Sequence, residues 1–357
     1  MKYLTTLFAG LLLTSCSCGP RTYRADEAPV RFVGRTETTS RGVSFDWSGT
    51  WIDIRFEGSS LTMRASDTGR NFFNLTVDSE PCEKFTTKGD SCLVVLFDAP
   101  EARGEHLLRI QKATEGEQGR VTIHDFTTDG RLLPVDDCAQ ARHIEFYGDS
   151  LTCGYGTESQ SGDEPFRPET ENCRYTYAAY TAARFGADYN LVSHSGRGLI
   201  RNYGDAEPIS DPANTMSTKA FRLYDTQPEP LWDFAASPYR PDAVVITLST
   251  NDFSTPPHPT GEAFAAGYRR FIGELRAAYG QDMPVLCVVH APEAVEAVRQ
   301  AIDGLPATAV ADISWGVYNR TSDLGASEHP NRFGQEKMAA IVIDRLAELT
   351  GWQPIEL

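Results

Sequence analysis

The sequence predicts two domains, an all-β sandwich followed by a three-layer α/β domain in which helices cover both faces of a sheet. Three observations support this prediction. The chain has 357 residues, which fits two domains of about 100 to 200 residues each. Short apolar runs separated by turn residues fill the first part of the chain, and strand-like runs alternating with helical patterns fill the second. Because the pattern changes around residues 134–140, we expect the boundary there.

The β-sandwich is predicted over residues 28–136. Its apolar runs have the length of strands, alternate with Gly, Asp, Ser and Pro, and show no long helical period, which is typical of a sandwich. The predicted strands are 31–33, 51–56, 61–64, 72–77, 93–97, 107–110 and 121–126.

The α/β domain is predicted over residues 140–357. Strands are predicted at 143–147, 189–192, 243–248, 285–289 and 309–313, and helices at 175–185, 261–279, 293–302 and 332–349. Such alternation predicts a mostly parallel sheet with helices on both faces. The stretch 197–240, rich in Pro and Asp, is predicted to form loops that line a site.

Four short motifs lie near the carboxyl ends of apolar runs in the second domain. They are Gly148-Asp149-Ser150, Ser195-Gly196, Thr250-Asn251-Asp252 and His329-Pro330. Each alone is common, since Gly-Asp-Ser, for example, is also an ordinary turn sequence. In open α/β sheets, however, ligands bind outside the carboxyl ends of the strands. The shared placement therefore favours one site built from all four motifs.

The residue types in these motifs match the needs of acyl transfer. A serine hydroxyl needs a nearby base and fixed hydrogen-bond donors for the developing oxyanion. Ser150 is the predicted nucleophile and His329 the predicted base. The backbone N–H groups of Ser150 and Gly196 and the side-chain amide of Asn251 are the predicted oxyanion donors.

The order Ser, Gly, Asn, His resembles that of the SGNH (GDSL-type) hydrolases, and further segments are similar to carbohydrate esterase family 2. The segments that carry the resemblance are Gly34-Arg35, Trp47-Ser48-Gly49, the run 110–115, the sequence EFYGDSLTCGYG at 145–156, Glu171-Asn172, the run 195–198 and Pro241-Asp242. The resemblance covers nearly the whole mature chain.

The resemblance implies a flavodoxin-like SGNH domain preceded by a jelly-roll-like sandwich. It also implies a serine carboxylic-ester hydrolase of acetylxylan esterase type, which removes acetyl groups from plant polysaccharides such as xylan or glucomannan and uses no cofactor. Two alternatives remain open. One is an SGNH esterase or lipase acting on longer acyl chains, and the other is an inactive glycan-binding surface lipoprotein.

Two positions depart from the pattern of the resembled enzymes. Ser249 stands where the Gly of Gly-Thr-Asn-Asp is usual, and a positive φ there would reshape the loop. Ala326 and Ser327 stand where many SGNH enzymes place the aspartate that orients the histidine. Asp323 and Glu328 are possible replacements. A Ser-His dyad, with a backbone carbonyl orienting the ring, is the favoured interpretation.

The amino terminus is predicted to direct export. Lys2 precedes a mostly apolar segment too short to span a bilayer, which is typical of a signal peptide over residues 1–15. The Leu13-Thr14-Ser15-Cys16 sequence has the pattern of a bacterial lipobox, so Cys16 is the predicted lipidation site and residues 16–27 a tether. We therefore predict a lipid-anchored envelope protein; the alternative is an ordinary cleaved secretory signal.

Charge and cysteine content narrow the possible partners. The net charge of −16 argues against nucleic acid or an anionic membrane surface and is compatible with a neutral acetylated saccharide. Export would let cysteines pair, and Cys82 with Cys92 and Cys153 with Cys173 are candidate pairs. Cys287, in an apolar run, is predicted to be a buried free thiol. No metal-ligand motif is present.

Three aromatic residues are predicted to contact substrate. Tyr155 follows the nucleophile motif, and Trp232 and Trp315 lie in segments after the predicted strands. Flat aromatic rings are suited to packing against sugars, but both tryptophans would serve equally well in the core.

Overall fold

The computed structural model describes residues 19–135, 142–314 and 317–356. Within them an antiparallel β-domain is followed by a parallel α/β domain, which confirms the predicted fold class. Cys16, predicted to be lipidated, and Trp315, predicted to bind substrate, lie outside the described residues. None of the described helices combines the length and apolar character that crossing a bilayer requires.

The β-domain is one hydrogen-bonded antiparallel sheet of eleven strands. The strands are β1 (Arg21–Arg24), β2 (Arg31–Val33), β3 (Glu37–Thr39), β4 (Gly42–Phe45), β5 (Trp51–Gly58), β6 (Ser60–Val77), β7 (Glu80–Pro81), β8 (Phe85–Asp98), β9 (Gly104–Lys112), β10 (Val121–Thr128) and β11 (Arg131–Leu133). Their alternate apolar side chains enclose a single buried core.

Strand β6 differs from the prediction. Residues 61–64 and 72–77 were predicted as separate strands, but they belong to one strand of 18 residues. Its first part pairs with β10 and its last five residues pair with β9, so β6 connects the two halves of the domain. Along its other edge β6 pairs with β8, with register shifts on either side of Asp67.

The α/β domain is built on a five-stranded parallel sheet. Its strands are β12 (His143–Gly148), β13 (Asp188–Ser193), β14 (Ala243–Thr247), β15 (Val285–Val289) and β16 (Thr308–Asp312), in the order β13-β12-β14-β15-β16. The helices are α1 (Ser150–Cys153), α2 (Tyr177–Arg184), α3 (Met216–Lys219), α4 (Gly261–Tyr279), α5 (Val295–Ile302) and α6 (Arg332–Thr350). A short hairpin pairs β17 (Leu324–Gly325) with β18 (His329–Pro330). This strand order is the flavodoxin-like one, in which ligands bind beside the first strand, here β12.

Helices cover both faces of the parallel sheet, as predicted. Val244 and Ile246 of β14 pack in a core with residues of α4 and α5. Val245, between them, packs on the opposite face with residues of α2 and α6. Because successive side chains of a strand point to opposite faces, a continuous apolar run is what a strand buried on both sides requires.

Buried ion pairs join the two domains. Arg31 on β2 pairs with Asp188 of the α/β domain at 2.7 Å, and Arg35 pairs with Glu145 of β12 at 3.0 Å. Arg35 also donates to two backbone carbonyls, those of residues 220 and 222. Removing one partner of such a buried pair typically costs about 3–5 kcal/mol. The junction between the domains is therefore specific rather than a loose contact.

The two candidate disulfides are not formed. Cys82 bonds through its backbone N–H to Leu75, whereas Cys92 pairs with Ala65 near the other end of β6. Residues 65 to 75 of an extended strand span about 33 Å, far beyond the reach of a disulfide. Cys153 and Cys173 are buried free thiols that bond to other groups, and Cys287 is a buried free thiol, as predicted.

Candidate active site

Ser150 lies at the junction between β12 and helix α1. Asp149 caps the helix, because its side chain accepts the N–H of Leu151 at 3.1 Å. A Cβ at Gly148 would lie 2.0 Å from Oγ1 of Thr152, so only glycine fits the sharp turn. Ser150 is 5% exposed. Burial raises the pKa of Asp149 to about 7.

His329 lies within hydrogen-bond distance of the predicted nucleophile. Its Nε2 is 2.8 Å from Oγ of Ser150, and its Nδ1 is 3.1 Å from the carbonyl oxygen of Ser327. A carbonyl only accepts, so Nδ1 carries the hydrogen and Nε2 is left as the acceptor for the serine hydroxyl. This is the tautomer that a general base needs. Burial lowers the pKa of His329 below its ordinary value, and the hydrogen bond to Ser327 offsets only part of that effect.

An unusual turn holds the carbonyl of Ser327 toward the imidazole. Ser327 and Glu328 have φ of 51° and 60°, in the left-handed region. For residues other than glycine this conformation costs on the order of 1–3 kcal/mol each and persists only where the surroundings enforce it. Here the N–H of Ser327 bonds to the carbonyl of Glu164 at 2.8 Å, and the N–H of Glu328 bonds to that of Gly162 at 3.1 Å.

Two aromatic rings stack behind the imidazole. The ring of Tyr155 stacks on His329 with centroids 4.2 Å apart. The ring of Phe166 stacks in turn on Tyr155, also with centroids 4.2 Å apart. This stacking restricts rotation of the imidazole. Tyr155, predicted from the sequence to contact substrate, is thus placed against the base, a contact that the sequence did not indicate.

Neither candidate carboxylate reaches His329. Asp323 accepts the N–H of Asn319 at 2.6 Å and pairs with Lys337. Glu328 is exposed and pairs with Arg320 at 3.3 Å. Across the part of the chain that the structure describes, the imidazole therefore has a carbonyl as its partner and no carboxylate.

Asn251 links the nucleophile to the loop that carries Gly196. Its Nδ2 donates to Oδ2 of Asp149 at 3.2 Å and to the carbonyl of Arg197 at 3.0 Å. Gly196 has a φ of 76°, which favours glycine. The amide of Asn251 therefore contacts the residues directly beside Ser150 and Gly196, and both of its hydrogens are directed at protein acceptors.

Asp252 fixes the same loop, a role that the sequence analysis did not assign. Its buried carboxylate accepts the backbone N–H groups of residues 199, 200 and 201 at 2.9, 2.8 and 3.0 Å. Burial raises its pKa to about 6. The sequence signal for this role was the position of Asp252, directly after Asn251 in the Thr-Asn-Asp motif. Ser249 is not among the described residues with positive φ, so it replaces the usual glycine without strain.

Trp232 is not near the nucleophile. It packs over the guanidinium of Arg35, 5.6 Å from the ring centroid, at the domain junction. Arg35 pairs with Glu145 within β12, five residues before Ser150. The half-buried ring therefore takes part in a cation–π contact between the domains, and its contact with substrate stays a prediction.

One group of buried side chains has ligand atoms close enough to share a cation. Glu115, Cys153 and Glu171 place theirs within 4.8 Å of one another. Hydrogen bonds already occupy two of them, since Glu115 accepts the N–H of Ser195 at 2.7 Å and Cys153 bonds to Ser193 at 3.2 Å. Burial, followed by the charge of Glu115, raises the pKa of Glu171 well above its ordinary value. A raised pKa disfavours the ionised carboxylate that a metal ion requires as its ligand.

Two family models match this chain. Carbohydrate esterase 2 N-terminal matches residues 32–135, and the GDSL-like Lipase/Acylhydrolase family matches residues 146–337. The cellulase/esterase CelE of Acetivibrio thermocellus is 34% identical over 273 residues, which cover 74% of this chain and 31% of that protein. An acetylxylan esterase / glucomannan deacetylase of Cellvibrio japonicus is 28% identical over 98% of both chains.

The fold is similar to that of a solved carbohydrate esterase. A family two carbohydrate esterase from Clostridium thermocellum, in complex with cellohexaose, superimposes with a TM-score of 0.82 at 28% identity. The match covers 90% of this chain and 99% of that one. Both domains are therefore shared, together with their order.

Proposed function

The chain belongs to carbohydrate esterase family 2 and carries a GDSL-type hydrolase domain, and from this premise we propose that it removes O-acetyl groups from polysaccharides by acyl transfer through Ser150 and His329. The observation that carries the mechanism is the 2.8 Å contact between Oγ of Ser150 and Nε2 of His329. The opposite ring nitrogen bonds to a carbonyl, which prepares the imidazole to accept a proton.

In the first half of the reaction Ser150 becomes acetylated. Oγ attacks the acetyl carbonyl carbon while His329 takes the hydroxyl proton, and the carbonyl oxygen becomes an oxyanion. When this tetrahedral intermediate collapses, the bond to the sugar oxygen breaks and His329 returns the proton to that oxygen. The products are a free sugar hydroxyl and an acetyl ester on Ser150.

In the second half water replaces the sugar. His329 takes a proton from water, the hydroxide attacks the acetyl-enzyme, and acetate leaves as Ser150 regains its proton. In both halves the oxyanion accepts from the backbone N–H groups of Ser150 and Gly196. Asn251 acts as the third donor by giving up one of its present acceptors, of which Asp149 is the more distant at 3.2 Å.

The substrate is proposed from charge and from the named relatives. The chain has a net charge of −16, which places no penalty on a neutral acetylated saccharide and disfavours anionic partners. The Cellvibrio relative is named for acetylxylan and glucomannan, and the Clostridium esterase was solved with cellohexaose. Acetylated xylan and glucomannan are therefore the first substrates to test.

Mass spectrometry of acetylated xylan and glucomannan oligomers, before and after incubation with the protein, tests this proposal. We expect loss of acetyl groups at defined hydroxyl positions. Parallel assays with p-nitrophenyl acetate and p-nitrophenyl octanoate separate an acetyl esterase from an enzyme for longer acyl chains. Faster turnover of the octanoate, without change in the oligomers, would replace the proposal by a lipase-like activity. No turnover of any ester would favour a glycan-binding protein.

The cellular location is proposed from the sequence alone, since Cys16 lies outside the described residues. We infer that the protein is exported and anchored to the bacterial envelope through lipid on Cys16. In detergent partitioning the full chain should enter the detergent phase, and Cys16→Ala should stay in the aqueous phase. Equal partitioning of the two would point to a secreted protein without lipid.

A further inference from the structure

The loop that carries Gly196 belongs to the α/β domain, but carboxylates of the β-domain hold it. The segment from Glu115 to Glu117 follows β9 and contacts the residues after β13. Glu115 bonds to Ser195 and Glu117 bonds to His194, the two residues before Gly196. The β-domain therefore contacts the chain directly beside a predicted oxyanion donor.

Glu115 contacts both elements that present the oxyanion N–H groups. Its Oε2 accepts the backbone N–H of Ser195 at 2.7 Å. The same oxygen lies 3.5 Å from Sγ of Cys153, in the helix that begins with Ser150. Glu115 is 2% exposed, so water does not compete for these contacts. A charge-assisted bond in such surroundings is among the stronger hydrogen bonds of a protein.

The side chain of Glu117 contacts the side chain of His194, the residue before Ser195. Its Oε1 lies 3.0 Å from Nε2 of His194, and Oδ2 of Asp225 lies 2.7 Å from Nδ1. Burial lowers the pKa of His194, but the charge of Asp225 and the two hydrogen bonds outweigh it and raise the pKa to about 9. A Cβ at Gly116 would lie 2.5 Å from Asp225, so the segment fits here only with glycine.

The segment is itself held rigidly. The buried Lys112 donates from Nζ to the carbonyls of Thr114 and Glu115 at 2.7 and 2.8 Å. The N–H of Glu115 donates to Oε2 of Glu171 at 3.1 Å. The carboxylate of Glu115 therefore meets Ser195 from a fixed backbone, as electrostatic preorganisation requires.

We propose that Glu115 is a positioning residue for acyl transfer, through which the β-domain completes the oxyanion hole of the α/β domain. Its bond to Ser195 fixes the peptide unit directly before the one that carries the N–H of Gly196. A displacement of about 1 Å in such a group costs on the order of 10²-fold in rate. The inference rests on the proposed acyl transfer at Ser150.

Three variants test the proposal with p-nitrophenyl acetate as substrate. Glu115→Ala removes the acceptor, Glu115→Gln keeps an acceptor oxygen, and Glu105→Ala is a matched control on the exposed face of the β-domain. Complete reaction of the nucleophilic serine with an organophosphonate gives the concentration of active sites, which is needed to calculate kcat. We expect Glu115→Ala to lower kcat about 10²-fold with KM changed less than about threefold, because the lost interaction acts on the transition state.

The conservative variant separates positioning from mere stability. Glu115→Gln should keep kcat within about fivefold, and Glu105→Ala should match the wild type. Hydrogen exchange of the peptide containing Ser195 should be faster in Glu115→Ala than in Glu115→Gln. If Glu115→Ala does not fold, Glu115→Asp is used, since it keeps the charge but withdraws the carboxylate by one methylene.

Two results would overturn the inference. One is a kcat within about threefold of wild type in whichever folded variant, Glu115→Ala or Glu115→Asp, is measured; the other is an effect on KM alone. Failure of the proposed substrate gives a different result. The wild type would then hydrolyse p-nitrophenyl acetate but release no acetate from the oligomers. The kcat values of the Glu115 variants with p-nitrophenyl acetate would still test the positioning role. If no ester is turned over, the hydrogen exchange of the peptide containing Ser195 still tests the contact between Glu115 and Ser195.

Discussion

The nucleophile side and the base side of the candidate active site are held by different chemistry. On the nucleophile side, the buried carboxylates of Asp149, Asp252 and Glu115 accept backbone N–H groups. On the base side, His329 is held by the carbonyl of Ser327 and by the ring of Tyr155. Carboxyl groups fix the first side, and a carbonyl and an aromatic ring fix the second.

The difference shows that a side chain can position the reacting groups without placing a full charge beside them. Carboxylates form strong bonds to N–H groups, but a full negative charge beside a developing oxyanion would oppose it. Burial raises the pKa of Asp149 to about 7 and that of Asp252 to about 6, which reduces their charge near neutral pH. The neutral partners of His329 orient its ring without adding an anion. Burial lowers the pKa of His329, and no neighbouring carboxylate counters that effect, so the imidazole stays unprotonated to lower pH.

The largest expected effect comes from removing the contact that joins the two sides. Ser150→Ala and His329→Ala should each reduce kcat on the order of 10⁶-fold, since a nucleophile and its base act as a unit. Steady-state assays with p-nitrophenyl acetate measure this, with circular dichroism as the check on folding. A tenth of wild-type activity in either variant would contradict the assignment.

A smaller loss is expected on the nucleophile side. Asn251→Ala should lower kcat roughly 10²- to 10³-fold with little change in KM, because an oxyanion donor acts on the transition state. The variant also loses the bond to the carbonyl of Arg197, so Asn251→Asp, which keeps the side-chain size, is assayed beside it. A change confined to KM would make Asn251 a contact for bound substrate instead.

On the base side, loss of a carboxylate should have little effect. Asp323→Asn and Glu328→Gln should each keep activity within about tenfold, whereas a triad acid typically costs roughly 10⁴-fold on amide replacement. The expectation follows from the contacts of Asp323 with Lys337 and of Glu328 with Arg320. A loss near 10⁴-fold in either folded variant would identify a third triad member and remove the dyad.

The smallest expected effect is a displacement of the acid limb of kcat/KM. His329 must be neutral to accept a proton, so activity falls as the pH drops through its pKa. Burial lowers that pKa, and the limb should therefore lie below the ordinary value of about 6.5. The neighbouring His290, whose pKa burial and the charge of His329 lower to about 4, stays neutral over this range.

The measurement is a profile of kcat/KM from acid to neutral pH, in wild type and in Asp149→Asn. The variant is needed because Asp149 titrates near pH 7 in the wild type. In the variant, the groups left to titrate on the acid limb are His329, whose pKa burial lowers, and Asp252, whose pKa burial raises to about 6. A midpoint above about 7 there would indicate an anion beside the imidazole and would weaken the distinction between the two sides.

Local patterns were sufficient for the fold class and for the main residues of the site. Residues 243–246 are all apolar, as a strand buried on both faces requires. The motifs at Ser150, Gly196 and Asn251 follow β12, β13 and β14, and parallel strands carry their carboxyl ends to one edge of the sheet. His329 instead precedes α6. Periodicity and the order of motifs can be read directly along the chain, so the sequence alone determined the fold class and the main residues of the site.

Contacts between distant segments were decided only by the tertiary structure. Glu115 and Ser195 are 80 residues apart, and Tyr155 meets His329 from a different loop. The contact of Trp232 with Arg35 could not be predicted, because an aromatic residue in a loop has the same local pattern whether it faces a sugar or a guanidinium. The docking of the two domains decided the contacts of Glu115 and Trp232, whereas folding within the α/β domain decided that of Tyr155.

The orienting group of the base shows the physical reason most clearly. Every residue carries a backbone carbonyl, so nothing in the residue type marks Ser327 as the partner of His329. Its carbonyl points at the imidazole because Ser327 and Glu328 adopt left-handed φ values, and loop 161–164 enforces them. The sequence determined that a carboxylate is missing from the usual position; only the folded chain determined what takes its place.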